Sequence, residues 1–115
     1  MKKMLNRVTV TGADDVNNDL LDKVTSDGIN AVPLFDISGG RGIVPKEWPK
    51  QKGYCGYAGG LSPDNLQEQL EKIEKVVDDV PIWIDAETHL RSPDNSILDL
   101  DKVRSFLEIA RPWVI

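Results

Sequence analysis

The sequence predicts an α/β protein in which parallel β-strands alternate with α-helices. Four short apolar runs have the length of strands, and glycine, aspartate or serine follows each of them. Amphipathic patterns with helical spacing lie between the runs, and this alternation is typical of βαβ units with a parallel sheet. The near-continuous apolar character of the runs suits strands buried on both faces. The chain of 115 residues has the size of one domain, which we assign to residues 1–115.

The predicted strands cover residues 7–11 (RVTVT), 30–35 (NAVPLF), 54–58 (YCGYA) and 81–85 (PIWID). Pro33 counts against a central position for the second strand, because proline has no N–H to donate to a neighbouring strand. The carboxyl ends of parallel strands are where ligands bind in such sheets. The segments to search for a site are therefore 11–16, 36–42, 58–65 and 85–92.

Three helices are predicted from apolar residues spaced three and four apart. The second pattern, over 62–79, has Ser62 as its N-cap and Pro63 in its first turn. The third has Asp99 as its cap, and the first, a weaker pattern over 18–27, stops at Gly28. The predicted apolar faces are Leu20, Leu21 and Val24; Leu66, Leu70, Ile73 and Val77; and Leu100, Val103, Phe106, Leu107 and Ala110.

Composition excludes several classes of function. The net charge of −5 argues against general binding to nucleic acid or to an anionic membrane, since both need a basic surface. No apolar run has the length of a signal peptide or a membrane span. Cys55 is the only cysteine, so an internal disulfide and a cysteine-rich zinc site are both excluded. We expect a soluble, cytoplasmic protein without a cofactor.

Two glycine-rich turns follow predicted strands. Gly59 and Gly60 lack side chains that would keep a phosphate from the backbone, and a helix pattern follows them. Taken alone, this pair favours a plain strand-to-helix turn. The sequence SGGRG at 38–42 adds Arg41, which could pair with a phosphate or extend into solvent.

Acidic residues end two of the predicted strands. Asp36 could act in acid–base chemistry or cap a turn, since either role suits an aspartate after an apolar strand. In DAETH, Asp85, Glu87 and His89 occupy alternate positions, so an extended backbone would direct them to one side. Such a set could bind a divalent ion, but a polar loop is the interpretation that the spacing favours.

The combination PLFDISGGRG, YAGGLSPDN and IDAET, in this order over roughly residues 30–110, resembles the last three strands of the phosphoribosylanthranilate isomerase family. The resemblance implies a β/α (TIM) barrel that isomerises a phosphorylated aminosugar by an Amadori rearrangement in tryptophan biosynthesis. It implies that Asp36 is the general acid and that Asp85 helps to order the site. The implied phosphate-binding residues are Gly39, Gly40, Gly59, Gly60 and Ser62. The loop AETHLRS replaces the small, glycine-bearing last loop of the family, and Arg91 is its only obvious anion partner.

The chain departs from this family in two respects. Thr11-Gly12 stands where the family has Cys-Gly, whose cysteine is the general base. A full barrel needs about 200 residues or more, and four strands amount to half of its eight. The sequence therefore predicts a partial, half-barrel fold with two open edges, which a homodimer could close into a barrel.

The sequence leaves three functions open. The first is an isomerase-like protein that binds a phosphorylated sugar, with Asp36, Thr11 and Asp85 at the catalytic positions. The second is a non-catalytic half-barrel assembly module with a vestigial phosphate site. The third is a metal-dependent enzyme that uses Asp36, Asp85, Glu87 and His89.

Overall fold

The computed structural model describes residues 8–11, 15–36, 42–51 and 53–114. It confirms the predicted mixture of helices with a parallel sheet. The strands are β1 (Val8–Thr11), β2 (Ala31–Asp36), β3 (Cys55–Ala58) and β4 (Ile82–Asp85), and the helices are α1 (Asp15–Ser26), α2 (Leu66–Glu74) and α3 (Leu100–Ala110). Two short 3-10 turns follow, at Thr88–Leu90 and Arg111–Trp113. None of the described helices is long and apolar enough to cross a membrane.

The strands lie side by side in chain order, β1-β2-β3-β4, and every pairing is parallel. The sheet has two chemically different faces, because alternate residues of a strand point to opposite sides. One face carries Phe35, Cys55 and Tyr57, which pack into the core with residues of α2 and α3. The other face carries Asp36 and Ala58, and it is the face on which the strand ends form a cavity.

Pro33 fits into β2 because of the register of the sheet. It pairs with Val10 of β1, whereas the pairing of β2 with β3 begins one residue later, at Leu34. The missing N–H of proline therefore falls where β2 has one described neighbour rather than two. The offset means that Pro33 pairs with β1 alone among the described strands.

Helix α1 is longer at its start than the sequence pattern indicates, but it ends where predicted. Gly28 follows it with a φ of +84°, and the Ile29 N–H donates to the Val24 carbonyl, 3.1 Å away. These are the features of a Schellman motif, which glycine adopts without strain. Leu21 is buried on this helix, whereas Leu20 lies on its exposed side.

Helix α2 begins three residues later than predicted, with Asn65 as its N-cap, so the assignment of Ser62 as N-cap is wrong. The side chain of Asn65 accepts the Ser62 N–H at 2.9 Å and donates to the Gly60 carbonyl at 2.9 Å. This local pairing closes a turn over residues 63–65, and the helix starts only after it. Leu66, Leu70 and Ile73 are buried as predicted.

The crossover between β2 and β3 contains no helix in its described part, residues 42–51. Trp48 anchors it in the core: its ring lies edge-on to Tyr57 at 5.9 Å, and its Nε1–H donates to the Gln69 Oε1 at 2.9 Å. The Tyr57 hydroxyl donates to the Pro49 carbonyl at 2.9 Å. A buried indole and a buried phenol are thus both satisfied by hydrogen bonds. The crossover thus covers part of the sheet, as the helix does in an ordinary βαβ unit.

Helix α3 begins as predicted, but its predicted apolar face is wrong in part. The Asp99 carboxylate caps it by accepting the N–H groups of Asp101 and Lys102. Phe106 is buried, and Ile109 and Trp113 pack beside it. Leu100 and Leu107, which the periodicity assigned to the core, are 72% and 61% exposed. The helix is therefore apolar on two sides and packs against the core through one of them.

Candidate functional site

Two predicted site residues, Asp36 and Asp85, lie in one row of the sheet. Asp36 pairs with Ala58 of the central strand β3, and Ala58 pairs with Asp85. Paired residues of a parallel sheet point to the same side, so both carboxylates project from the face opposite Phe35 and Tyr57. They stand two strand spacings apart, about 9–10 Å between backbones. Ala58 keeps the space between them open, because its side chain is a single methyl group.

A small cavity of about 30 Å³ lies at these strand ends. Its walls come from the ends of β2, β3 and β4 and from the loops that follow them. The described residues that line it are Asp36, Gly42, Ala58, Gly59, Gly60, Leu61, Asp85, Ala86, Glu87, Thr88 and His89. A volume of this size has room for about two water molecules, so the described residues form the floor of a site for any larger ligand rather than a complete pocket. The structure thus brings together residues from three of the four segments in which the sequence placed a site.

Gly59 and Gly60 are glycines for a reason that the sequence does not reveal. Their φ angles are +126° and +67°, a backbone region that side chains strain. A Cβ at Gly60 would lie 2.5 Å from the Val44 nitrogen, and one at Gly59 would lie 3.0 Å from the Ile43 carbonyl oxygen. The crossover therefore packs directly on this pair. The absent side chains make room for protein backbone at this turn.

His89 joins two loops above the cavity. Its Nε2 lies 2.8 Å from the Gly42 carbonyl oxygen, and a carbonyl can only accept, so Nε2 carries a proton. A Cβ at Gly42 would lie 3.3 Å from the Cβ of Thr88, which shows how closely these loops approach each other. The contact leaves Nδ1 of the neutral ring as a hydrogen-bond acceptor.

The described lining is acidic. It contains the carboxylates of Asp36, Asp85 and Glu87 and no lysine or arginine. Within the described parts of the chain, no group of three or more His, Cys, Asp or Glu residues is arranged to hold a metal ion. The Nε2 of His89 is already hydrogen-bonded to Gly42. The three carboxylates could accept hydrogen bonds from hydroxyl groups.

Arg91 lies outside the described lining of the cavity. It forms an antiparallel bridge with Leu98, and its carbonyl accepts the Lys102 Nζ at 2.7 Å. The loop between the bridge residues is held by Asp94, whose carboxylate accepts the hydroxyl groups of Ser92 and Ser96, and these hydrogen bonds lower its pKa to about 2. The backbone of Arg91 thus has a structural role, beside the anion-binding role that the sequence predicts for its side chain.

The remaining predicted site residues are Thr11, Gly39, Gly40 and Ser62. Thr11 is the last residue of β1. It pairs with Leu34, which lies two residues before Asp36 in β2. Gly39 and Gly40 lie outside the described residues, as does Arg41. Ser62 follows the cavity residue Leu61, and its N–H is bonded to Asn65.

Sequence reasoning missed two components of the site. One is Ala58, whose signal is a small residue at the end of a central strand between two acidic strand ends. The other is the pairing of His89 with Gly42, which are 47 positions apart, so local patterns do not contain it. Comparison with protein-family models, with curated proteins and with solved structures gives no match for this chain.

Proposed function

We propose that this protein binds a phosphorylated sugar at the carboxyl edge of its sheet and isomerises it by an Amadori-type ring opening. This is the reaction of the phosphoribosylanthranilate isomerase family in tryptophan biosynthesis, which the sequence resembles over roughly residues 30–110. One observation carries the proposal: Asp36, Asp85 and the turn at Gly59-Gly60 line the same cavity. These are the residues for which the resemblance implies roles.

The proposed acid is Asp36. It would donate a proton to the ring oxygen as the bond from that oxygen to the anomeric carbon breaks. A base must then remove the proton from the neighbouring carbon. Thr11 occupies the position of the family's cysteine, but a threonine hydroxyl is a weak base at neutral pH. Asp85, the second carboxylate of the row, is the base that we assign, since a sugar ring lying over Ala58 would have one carboxylate on each side.

The proposed phosphate position lies at the Gly59-Gly60 turn, beside Asp36, whose carboxylate oxygen is 3.7 Å from the Cβ position at Gly59. The acidic lining suits sugar hydroxyl groups, which donate hydrogen bonds to carboxylates, and it would repel a phosphate. A cation is therefore needed on the phosphate side. We assign this role to Arg41 of the SGGRG loop and keep Arg91 as the alternative.

The four-stranded sheet is, in this proposal, half of a β/α barrel. Its strands follow one another in chain order and are all parallel, as successive strands of a barrel are. The face that carries Asp36 and Ala58 corresponds to a barrel interior, and a second copy of the chain would supply the other four strands. This assembly is compatible with a cytoplasmic enzyme made of one small domain per chain.

Calorimetric titration with ribose 5-phosphate tests the binding. We expect saturable binding, with weaker binding of ribose and of inorganic phosphate because each has only part of the ligand. Arg41→Ala should weaken binding at least about tenfold, as expected for loss of a charge-assisted hydrogen bond. Arg91→Ala is the matched control: the opposite order of effects would move the phosphate role to Arg91, and absence of binding by the unaltered chain would refute the proposal.

Turnover of phosphoribosylanthranilate, followed by the change in its fluorescence, tests the chemistry. We expect Asp36→Asn and Asp85→Asn each to lower kcat by at least about 100-fold with a smaller effect on KM, since general acid–base catalysis contributes about 10²–10⁴-fold. Asp94→Asn, a carboxylate outside the cavity lining, should retain activity. Binding without turnover in the unaltered chain would favour the second candidate, a non-catalytic assembly module, which the threonine at position 11 supports.

A further inference from the structure

Helix α3 has an unpartnered apolar side. Its outer stripe is defined here as Leu100, Val103 and Leu107, which follow the three-and-four spacing of one helix face, together with Val114 just beyond the end of the helix. Leu100 and Val114 are both 72% exposed, and Leu107 is 61% exposed. The core-facing side of the helix packs through Phe106, Ile109 and Ala110. An apolar stripe of this length on a surface marks a contact with another molecule.

The stripe continues into an apolar groove beside β4. This groove encloses about 940 Å³ and is lined by Val77, Ile82, Trp83, Ala110, Trp113 and Val114, among others. Val114 belongs to both the stripe and the groove, so the two surfaces adjoin each other. Strand β4 pairs only with β3 in the described sheet, which leaves its other edge open. An open edge beside an apolar groove is a site for strand pairing.

The occupant that fits this surface is the other edge of the same sheet. Strand β1 pairs only with β2 among the described strands, and it runs parallel to β4. A two-fold axis parallel to the strands would place β1 of one copy along β4 of its partner and would repeat this contact on the opposite side. Both open edges would close at once, whereas an unrelated partner on β4 would leave β1 open.

Charge supports the same pairing. Glu74, Asp78 and Asp79 line the groove near the start of β4. The seven residues before β1, MKKMLNR, contain three basic residues and no acidic one, in a chain of net charge −5. Parallel pairing brings the starting ends of two strands together, so the acidic rim of one copy would face the basic segment of the other.

We infer that the groove beside β4 and the outer stripe of α3 form the docking surface for β1 and residues 1–7 of a second copy of this chain. The inference rests on the half-barrel part of the proposed function and is independent of its chemistry. It also identifies what covers Leu107 and Val114, which the isolated chain leaves in water.

Sedimentation velocity of the full chain over a range of concentrations tests the inference. We expect a dimer whose dissociation constant rises with salt. Leu107→Lys should raise this constant at least about 100-fold, because the interface would bury an unpaired charge. Gln67→Lys, an exposed position on α2 outside the groove, is the matched control and should leave the constant unchanged. A folded wild-type chain that is monomeric at about 100 μM, or equal effects of the two variants, would overturn the inference.

Charge reversal provides a second test that does not disturb α3. Replacement of Lys2, Lys3 and Arg7 by glutamate should dissociate the dimer, and simultaneous replacement of Glu74, Asp78 and Asp79 by lysine should restore it. Failure of this restoration, with both variants folded by circular dichroism, would overturn the proposed pairing. Ribose 5-phosphate binding measured on the same samples separates the two proposals: a monomer that binds the sugar refutes only the dimer, and a dimer that does not bind it refutes only the proposed function.

Discussion

Asp36 and Asp85 flank Ala58 in one row of the sheet, so two carboxylates face a common space that a single methyl group keeps open. This space is the floor of the cavity. Its dimensions depend on residue 58 more than on either acid, because a larger side chain there would fill the gap between them.

Ala58→Leu should therefore abolish binding of ribose 5-phosphate, while Ala58→Ser should retain it. We expect the leucine variant to lose about 1–3 kcal/mol of unfolding free energy, the usual cost of overpacking a buried position. Calorimetric titration and urea unfolding measure the two effects separately. Undiminished binding by a folded Ala58→Leu protein would show that the ligand lies elsewhere.

Gly60→Ala should destabilise the fold even without a ligand. Its positive φ costs about 1–2 kcal/mol for a side chain, and contact with Val44 adds an overpacking cost of about 1–3 kcal/mol. Gly28→Ala is the matched control, since Gly28 also has a positive φ but has no atom within 4 Å of its Cβ position. Urea unfolding should show the larger loss at Gly60. Equal losses of unfolding free energy in the two variants would mean that the crossover moves away from the added methyl group at little energetic cost.

Gln69→Leu should cost about 1–3 kcal/mol of unfolding free energy. The substitution removes the acceptor of the Trp48 Nε1–H and leaves a buried donor without a partner. Gln67→Leu is a control on the same helix, where the amide bonds to exposed Glu71, and its effect should stay within about 0.5 kcal/mol. A comparable loss in both variants would contradict a specific role for the indole hydrogen bond.

Alkaline pH should unfold the protein through Tyr57. Burial, with a further contribution from Cys55, raises the pKa of this phenol far above its ordinary value of 10. A raised pKa in the folded state means that the stability from the neutral phenol is complete below pH 10 and declines as pH rises above it. Unfolding free energies measured between pH 8 and pH 12 should show this decline. Tyr57→Phe should remove that part of the pH dependence, and an unchanged slope would contradict the assignment.

His89, the only histidine, should carry its proton on Nε2 when it is neutral. Long-range ¹H–¹⁵N correlation spectra report the protonation of both ring nitrogens, and one imidazole makes the assignment unambiguous. In the urea-unfolded protein the ring no longer contacts Gly42, so both neutral tautomers of the imidazole should be populated. A folded protein with its proton on Nδ1 would contradict the contact between the two loops.

The sheet could be predicted from the sequence because its signals are local. Each strand is a short apolar run with a turn residue after it, and the predicted bounds differ from the observed ones by one residue at most. Because all strands run in parallel, their carboxyl ends meet at one edge of the sheet, so the sequence could also predict that Asp36 and Asp85 lie at the same edge. It could not predict that both residues align with Ala58, because the apolar runs do not specify the register between strands.

The errors in the helices have physical causes. At the start of α2, Ser62 matched a capping pattern, but the side chain of Asn65 pairs with the backbone around it and delays the helix. In α3, periodicity marks residues as apolar without indicating which apolar side meets the core. Leu107 and Phe106 are adjacent in sequence, and only packing distinguishes them.

The Gln51 side chain ties the crossover to a distant part of the chain. Its amide donates to the Gly53 and Val80 carbonyls, its oxygen accepts the Asp78 N–H, and its backbone N–H donates to Val76. We therefore expect the crossover into β3 to become ordered only after the segment that follows α2 is in place. During synthesis the first fifty residues would emerge without these partners, so the β2–β3 connection should be among the last parts of the domain to gain protection from amide hydrogen exchange.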